Sequence, residues 1–160
     1  MRLRMMRTLL LTAMFMSATP AFADITAFIG ANTTPANRQV RGVAFGIGLL
    51  VVGFEFEYAF TVDDPTATAP SLKTGSGNVL LQTPVAFYGV QPYFTTGGGL
   101  YNETLGPHDD TGVVLNTGGG VKISLAGPLR VRLDYRVLKL GSGALFSPAH
   151  RIYAGLNLKF

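Results

Sequence analysis

Apolar and polar residues alternate one by one along several stretches of the chain. In residues 54–60, aromatic side chains occupy the four even positions, with Glu55 and Glu57 between them. Residues 130–137 and 151–160 alternate in the same way. A period of two places successive side chains on opposite faces of a strand, whereas no stretch sustains the three-and-four spacing of an amphipathic helix. The pattern predicts an all-β chain.

Turn residues and changes of phase divide the chain into eight predicted strands. The predicted strands are 24–31, 41–49, 53–61, 77–87, 89–101, 112–124, 129–140 and 149–160. The predicted long loops are 32–40, 62–76, 102–111 and 141–148, and the short turns lie near 50–52, 87–89 and 125–128. Long loops at one end and short turns at the other are typical of outer-membrane barrels. Pro84 and Pro92 fall inside predicted strands, where we expect bulges because proline cannot donate to a ladder.

Composition indicates whether the apolar face of the strands points outward to lipid or inward to the barrel interior. Only 14% of residues are charged while 48% are hydrophobic, against about 25% charged residues in an ordinary soluble domain. The chain is too apolar for disorder, and without cysteine it has no disulfide, thiol nucleophile or cysteine-based zinc site. In a membrane barrel the apolar face points outward, and eight strands leave an interior that side chains fill. We therefore predict a closed, antiparallel, up-and-down transmembrane β-barrel of eight strands, with small inward positions at Gly42, Gly46 and Gly48 and in the glycine runs 97–99 and 118–120.

The N-terminus has the three parts of a secretory signal. Three arginines precede the apolar stretch 9–16, and Ala21-Phe22-Ala23 then fits a signal-peptidase site before Asp24. We predict a cleaved signal peptide over residues 1–23 and an outer-membrane β-barrel domain over 24–160; the alternative for the leader is a buried amphipathic helix. Removing the leader leaves 10 basic against 9 acidic residues. The formal charge of +4 therefore gives no support to nucleic-acid binding.

Four segments together carry a family resemblance. They are Ala21-Phe22-Ala23, the opening Asp24-Ile25-Thr26, the segment Phe54-Glu55-Phe56-Glu57-Tyr58 and the closing segment 151–160. With them the chain resembles, over residues 24–160, the small outer-membrane β-barrel family typified by OmpX and the membrane domain of OmpA. The resemblance implies that Leu156, Leu158 and Phe160 form the signal read by the barrel assembly machinery. We expect further partners to be periplasmic chaperones during biogenesis and then outer-membrane lipid and lipopolysaccharide, with the protein a monomer that has no cofactor.

Glu55 and Glu57 of the predicted third strand share the inward parity, as do Arg130, Arg132, Asp134 and Arg136 of the predicted seventh strand. These strands lie opposite each other in a closed eight-stranded barrel, and long arginine side chains can bridge so narrow a lumen. We predict an internal network of ion pairs joining Glu55 and Glu57 to Arg132 and Arg136, with Asp134, Lys122 and Arg151 as further members. Because unpaired buried charges are costly, each member must be compensated. The network would plug the barrel and prevent substantial conductance.

Polar residues of the predicted long loops offer two weaker chemistries. His108-Asp109-Asp110 and Ser147-Pro148-Ala149-His150 share one rim, so that a lipid-modifying hydrolase is conceivable. The pairs 63–64 and 109–110 could bind a divalent cation, although acidic loop tips more often serve solubility. We predict no catalytic residues and no metal site. The predicted function is an integral outer-membrane protein with a structural or surface-interaction role; the alternatives are a soluble periplasmic lipocalin-like barrel binding an apolar ligand and the lipid-modifying hydrolase.

Overall fold

The computed structural model describes residues 21–160, which form eight antiparallel strands closed into a barrel. The strands are β1 (Phe22–Asn32), β2 (Arg38–Gly48), β3 (Val52–Thr61), β4 (Ser71–Gln82), β5 (Val90–Leu105), β6 (His108–Ala126), β7 (Leu129–Leu140) and β8 (Ala149–Lys159). Each strand pairs with the next along the chain, and β8 closes the barrel by pairing with β1. The predicted fold class is confirmed. Within residues 21–160, no helix is both long and apolar enough to cross a membrane.

The two faces of the sheet differ in the way that the alternation predicts. On β3, Phe54 and Phe56 point outward and are 56% and 57% exposed, whereas Glu55 between them is 4% exposed. The same holds on β2, where Phe45 and Ile47 point outward. Arginine, glutamate, asparagine and threonine side chains fill much of the interior. The barrel therefore has an apolar outside and a polar inside, the reverse of a soluble barrel.

The predicted fourth strand, 77–87, was wrong by about half its length. β4 runs over Ser71–Gln82, so that the preceding loop is shorter than the predicted 62–76 and Pro84 lies outside the strand, in the connection to β5. The early start is possible because Thr74 and Ser76 point into the lumen, where polar side chains are suited to a strand of a membrane barrel. A single 3-10 turn over Pro65–Ala67, capped by Asp64, occupies the loop.

The predicted loop 102–111 was also wrong, because these residues continue the ladder between β5 and β6. The two strands run on to Leu105 and His108, which pair across a two-residue turn, and Gly106 has the positive φ of 56° that such a turn requires. Side-chain hydrogen bonds between the two strands, such as that from Asn102 Nδ2 to Asp109 Oδ1 at 2.8 Å, stabilise this extension. The barrel therefore carries a β-hairpin at this end where a long loop was expected.

The proline positions do not produce the expected bulges. Pro92 lies inside β5 opposite Val121 in an uninterrupted register. In the β6–β7 ladder, the register shifts between Ser124 and Ala126, next to the Gly127-Pro128 turn. A proline two residues from the start of a strand loses one hydrogen bond without displacing the pairs that follow it.

The start of β1, the end of β8 and the connections β2–β3, β4–β5 and β6–β7 share one end of the barrel, called here the short-turn end; the opposite end is the loop end. Apolar side chains close the interior towards the loop end: Leu72, Tyr101, Val114, Leu138, Leu140 and Ala149 form one buried cluster. Below it, the rings of Phe28 and Tyr153 stack with centroids 4.0 Å apart. Gly42 makes room for this stack, since a methyl group at this position would meet the Phe28 ring. The middle of the barrel is left to charged residues.

Candidate functional site

Six buried charged residues meet in the middle of the barrel and are called here the lumen network. They are Glu55 and Glu57 on β3, Arg132, Asp134 and Arg136 on β7, and Arg151 on β8. Strict alternation sends Glu55 and Glu57 of β3 inward together with the charged residues at positions 130, 132, 134 and 136 of β7. Three carboxylates face three guanidinium groups, so that the lumen network has no net charge.

Glu55 joins β3 to β7 across the lumen. Its carboxylate accepts hydrogen bonds from both terminal nitrogens of Arg132, with Arg132 Nη2 at 3.2 Å from Oε1. Arg136 Nη2 donates to the same Oε1 at 2.9 Å. The side chains of Glu55 and Arg132 are at most 1% exposed. Such charge-assisted, two-pronged contacts are among the strongest that side chains make.

Asp134 lies between the two arginines of its own strand and holds both in place. Its carboxylate accepts from Arg132 Nη2 at 3.1 Å and from Arg136 Nε at 2.9 Å. The Tyr93 hydroxyl donates to Asp134 and accepts from Arg132 Nε at 2.7 Å. Tyr93 therefore completes the hydrogen bonding of both charged groups.

Glu57 forms the layer next to the loop end. Its carboxylate lies 3.1 Å from Arg136 Nη1 and 3.1 Å from Arg151 Nη1, and the Tyr153 hydroxyl also donates to it at 3.1 Å. Arg151 Nη2 reaches across to the Thr74 hydroxyl at 3.1 Å. No ion pair joins Glu57 directly to Arg132 among the described residues; these two side chains are linked through Arg136.

Lys122 belongs to a separate group at the short-turn end, called here the lower cluster: Asp24, Lys122 and Arg130. Lys122 Nζ and Arg130 Nη2 lie 2.7 Å and 3.3 Å from Asp24 Oδ2. Arg130 also donates to Asn157 Oδ1 at 2.9 Å. A cavity of about 50 Å³ adjoins the lower cluster, a size suited to water. Asp24 therefore pairs with two buried cations of the barrel, in addition to its place in the predicted signal-peptidase site.

The other sequence-predicted residues lie away from the lumen. Leu156, Leu158 and Phe160 are exposed on the outward side of the last strand and at its end. Ala21 precedes β1, while Ala23 and Asp24 lie within it. The rest of the predicted signal peptide, residues 1–20, falls outside the described residues.

The histidines and Ser147 do not come together. His108 Nε2 lies 3.2 Å from Glu103 Oε1, whereas His150 Nδ1 lies 2.7 Å from the Tyr135 hydroxyl on the outward face. Ser147 Oγ donates to the backbone oxygen of Leu140 at 3.3 Å. Over residues 21–160, no three metal-ligating side chains cluster together.

Sequence reasoning missed several residues of the interior. Tyr93, Tyr153, Thr74 and Asn157 share the inward parity of their strands, but nothing in their local sequence indicates hydrogen bonds to the charged groups. Asp24 was predicted only as part of the signal-peptidase site and as the opening residue of the first strand. Adjacent residues of a strand point to opposite faces, so that Asp24 points inward if Ile25 points outward. The sequence of β1 alone does not show which of its faces is the outward one.

No protein-family model and no curated protein matches the chain. Among solved structures, it is similar to the N-terminal β-barrel domain of Pseudomonas aeruginosa OprF, with a TM-score of 0.69 and 14% identity over 87% of this chain and 97% of that one. It is similar to Neisserial surface protein A, with a TM-score of 0.64 and 17% identity over 88% and 96% of the two chains. The outer membrane enzyme PagL gives a TM-score of 0.50 and 12% identity over 86% and 98%. These likenesses confirm the resemblance to small outer-membrane β-barrels at the level of the fold.

Proposed function

We propose that this chain is an integral outer-membrane protein with a structural or surface-interaction role, whose lumen is plugged by side chains and performs no catalysis. The observation that carries this proposal is the exchange of faces. Phenylalanine and isoleucine side chains point away from the barrel while the lumen network is buried within it. In a water-soluble barrel the hydrophobic effect would favour the opposite arrangement, with the apolar side chains inside and the charged ones outside.

The same observation weighs against the soluble lipocalin-like alternative. A barrel that binds an apolar ligand lines its cavity with its bulky apolar face. Here the middle of the interior holds Arg132, Arg136 and Arg151, each at most 1% exposed. An apolar ligand would have to separate these ion pairs and leave the buried charged groups without partners, at a high cost in free energy.

The plugged lumen argues for a role at the surface of the barrel. Ion pairs bridge the interior from β3 to β7 and β8, and the apolar cluster lies between them and the loop end. A solute crossing the barrel would have to separate both layers. We infer that the protein acts through its outer face and loop end, in contact with outer-membrane lipid and lipopolysaccharide.

The hydrolase alternative takes support from the fold alone, because the outer membrane enzyme PagL shares it. A nucleophilic serine needs a base within hydrogen-bond reach. Ser147 bonds to backbone, and His150 bonds to Tyr135. The side chains therefore favour the non-catalytic proposal.

Three experiments test the proposal. In the first, the expressed protein is fractionated and the membranes are washed with carbonate; it should stay with the outer membrane and shift in gel mobility on boiling. Release with the periplasmic fraction would overturn the proposed location. In the second, purified protein is added to planar bilayers and to lipopolysaccharide: stable large currents would refute the plug, and deacylated lipid would refute the lack of catalysis. A deletion strain examined for envelope permeability and surface adhesion then addresses the biological role.

A further inference from the structure

Two cations and an aromatic ring form a continuous row on the outward face, called here the outer row: Arg41, Phe60 and Lys73. Arg41 on β2 lies directly opposite Phe60 on β3, and Phe60 lies directly opposite Lys73 on β4. The Arg41 guanidinium carbon sits 5.8 Å from the centre of the Phe60 ring. Neighbouring positions in a ladder are about 5 Å apart, so that the two cations flank the ring within reach of a common ligand.

The outer row marks the edge of the apolar belt at the loop end. Towards the short-turn end, outward positions of the same strands carry Val43, Phe45, Phe56 and Tyr58, all exposed. Towards the loop end, β3 ends at Thr61 and the polar loop 62–70 begins. A cation on the lipid face costs about 2–4 kcal/mol at the bilayer midplane but about 0–1 near the interface. Arg41 and Lys73 therefore fit the outer boundary of the membrane, at the level of lipid headgroups.

Neither cation has an acidic partner among the described residues. The ion pairs formed within residues 21–160 lie in the lumen network, in the lower cluster and between Glu103 and His108. Lys139 on β7 provides a contrast: it also points outward, but the position opposite it on β6 is Leu115, which carries no charge. The outer row is thus a paired cationic site, whereas Lys139 is a single cation.

We propose that the outer row binds one lipid A phosphate of lipopolysaccharide in the outer leaflet, shared between Arg41 and Lys73. Arginine matches two phosphate oxygens with its planar fork, and lysine adds a point charge from the other side of the ring. The exposed face of Tyr58, two residues below Phe60 on β3, continues the site towards the acyl chains. This inference rests on the proposed outer-membrane location, because phosphorylated lipid A forms the leaflet that would meet the loop end.

The test measures affinity of the folded barrel for lipid A with and without its phosphates. Full-length protein is refolded into phosphatidylcholine vesicles, and insertion is established by the gel-mobility shift. Bisphosphorylated lipid A, enzymatically dephosphorylated lipid A and phosphatidylglycerol are then titrated into unmodified barrels and into the variants Arg41→Gln, Lys73→Gln, the double variant and Lys139→Gln. All three positions are exposed at the surface, so that the variants keep the interior unchanged.

We expect the double variant to lose about thirtyfold in affinity for bisphosphorylated lipid A, from about 1 kcal/mol per cation and 1.4 kcal/mol per tenfold change. Because one phosphate is shared, losing either cation also weakens the contact of the other. Each single variant should therefore lose more than the roughly fivefold that 1 kcal/mol gives, and the two single losses together should exceed the loss of the double variant. Combining Arg41→Gln with Lys139→Gln should give additive losses instead. Dephosphorylated lipid A should bind all barrels equally, and phosphatidylglycerol should discriminate between them less than lipid A does.

Four results would overturn the inference. Additive losses for Arg41 and Lys73, equal to those with Lys139, would show a diffuse electrostatic attraction without a shared phosphate. Equal discrimination with phosphatidylglycerol would show a general anionic-lipid surface. If the protein inserts but binds lipid A equally well with and without its phosphates, the site is refuted and the proposed location stands. If the unmodified protein fails to insert, both the location and the site are refuted.

Discussion

Replacing Glu55 with glutamine removes one of the three carboxylates in the lumen network and leaves its shape nearly unchanged. Arg132 then keeps Asp134 at 3.1 Å, and Arg136 keeps Asp134 at 2.9 Å and Glu57 at 3.1 Å. The network nevertheless acquires a net charge of +1 in a region shielded from water. Arg132→Met has the opposite effect: the network acquires a net charge of −1, and the buried carboxylate of Glu55 retains only Arg136 at 2.9 Å.

The magnitude follows from the cost of a stranded buried charge. Breaking a buried pair by removing one partner costs about 3–5 kcal/mol, and the remaining contacts of each residue place both single variants near 3 kcal/mol. Independent effects would sum to about 6 kcal/mol for the double variant, but that variant removes both members of the direct Glu55–Arg132 contact, so that neither leaves the other without its partner. We therefore expect the double variant to lose only about 3–4 kcal/mol, a coupling of about 2–3 kcal/mol.

The assay is urea unfolding of the refolded barrel in phospholipid vesicles, with the gel-mobility shift as a measure of the folded fraction. The matched control is the cycle formed by Glu57→Gln and Arg132→Met. Both side chains belong to the lumen network, but they do not contact each other: Glu57 contacts Arg136 and Arg151, whereas Arg132 contacts Glu55. Their coupling should stay below about 1 kcal/mol.

A coupling between Glu55 and Arg132 that is indistinguishable from zero would refute the reasoning. It would mean that water or neighbouring groups compensate each charge separately, so that the pair does not act as a unit. A coupling equal to that of the control cycle would show that only the net charge of the lumen counts, irrespective of the individual contacts.

Four further predictions concern the faces, the close packing, the assembly signal and one loop. Leu133→Arg, on the lipid face, should lower the unfolding free energy in vesicles by about 2–4 kcal/mol, while Leu133→Met should change it by less than about 1.5 kcal/mol; equal stability of the two would invert the faces. Gly120→Ala should cost about 1–3 kcal/mol in the same assay because its methyl group would meet the carbonyl oxygen of a neighbouring strand, whereas Gly77→Ala, with open space around it, should be near neutral. Phe160→Asp should leave unfolded precursor in the periplasm and abolish the gel-mobility shift, and Phe160→Tyr should insert normally; normal insertion of both would reject the assembly signal. The pKa of Asp64 is lowered by a hydrogen bond from a threonine hydroxyl, so amide protection of its 3-10 turn should be present above the unfolded-state pKa and disappear as pH falls through the lowered folded-state value; protection that is independent of pH and survives Asp64→Ala would contradict this.

The alternation along the chain predicted the strands and the direction of the charged residues on β3 and in residues 130–136, while the barrel was predicted from the loop lengths and the composition as well. Glu55 and Glu57 alternate with aromatic residues, so that a single choice of solvent fixes both faces of β3. The same choice places Arg132, Asp134 and Arg136 inside. These assignments depend only on parity, which a sequence displays directly.

Partners within the lumen could not be deduced from parity, because they depend on the stagger of the strands. Glu55 meets Arg132 and Glu57 meets Arg151 only after the register of every ladder between them is set. Lys122 has the right parity, but it lies nearer the short-turn end and meets Asp24. The predicted start of β4 failed for a related reason: its polar, glycine-rich sequence resembles a loop until the polar lumen is known.

The ladders themselves place like charges side by side. Lys122 lies directly opposite Arg132, and Arg136 lies directly opposite Arg151. In an isolated sheet such pairs are destabilising. Asp134 on β7 offsets part of this repulsion, and carboxylates from other strands of the closed barrel offset the rest.

Asp24 on β1 and the two glutamates of β3 supply these carboxylates. The contacts span 77 residues between Glu55 and Arg132, and 98 residues between Asp24 and Lys122. The hairpin of β6 and β7 therefore remains electrostatically unfavourable until β1 and β3 face it across the lumen. Closure of the barrel therefore completes the neutralisation of the lumen, and a partly closed sheet would expose both an unpaired edge and uncompensated cations. This coupling explains why the interior keeps buried ion pairs, which by themselves contribute little to stability: they make the closed eight-stranded register the arrangement in which every one of these charges has a partner.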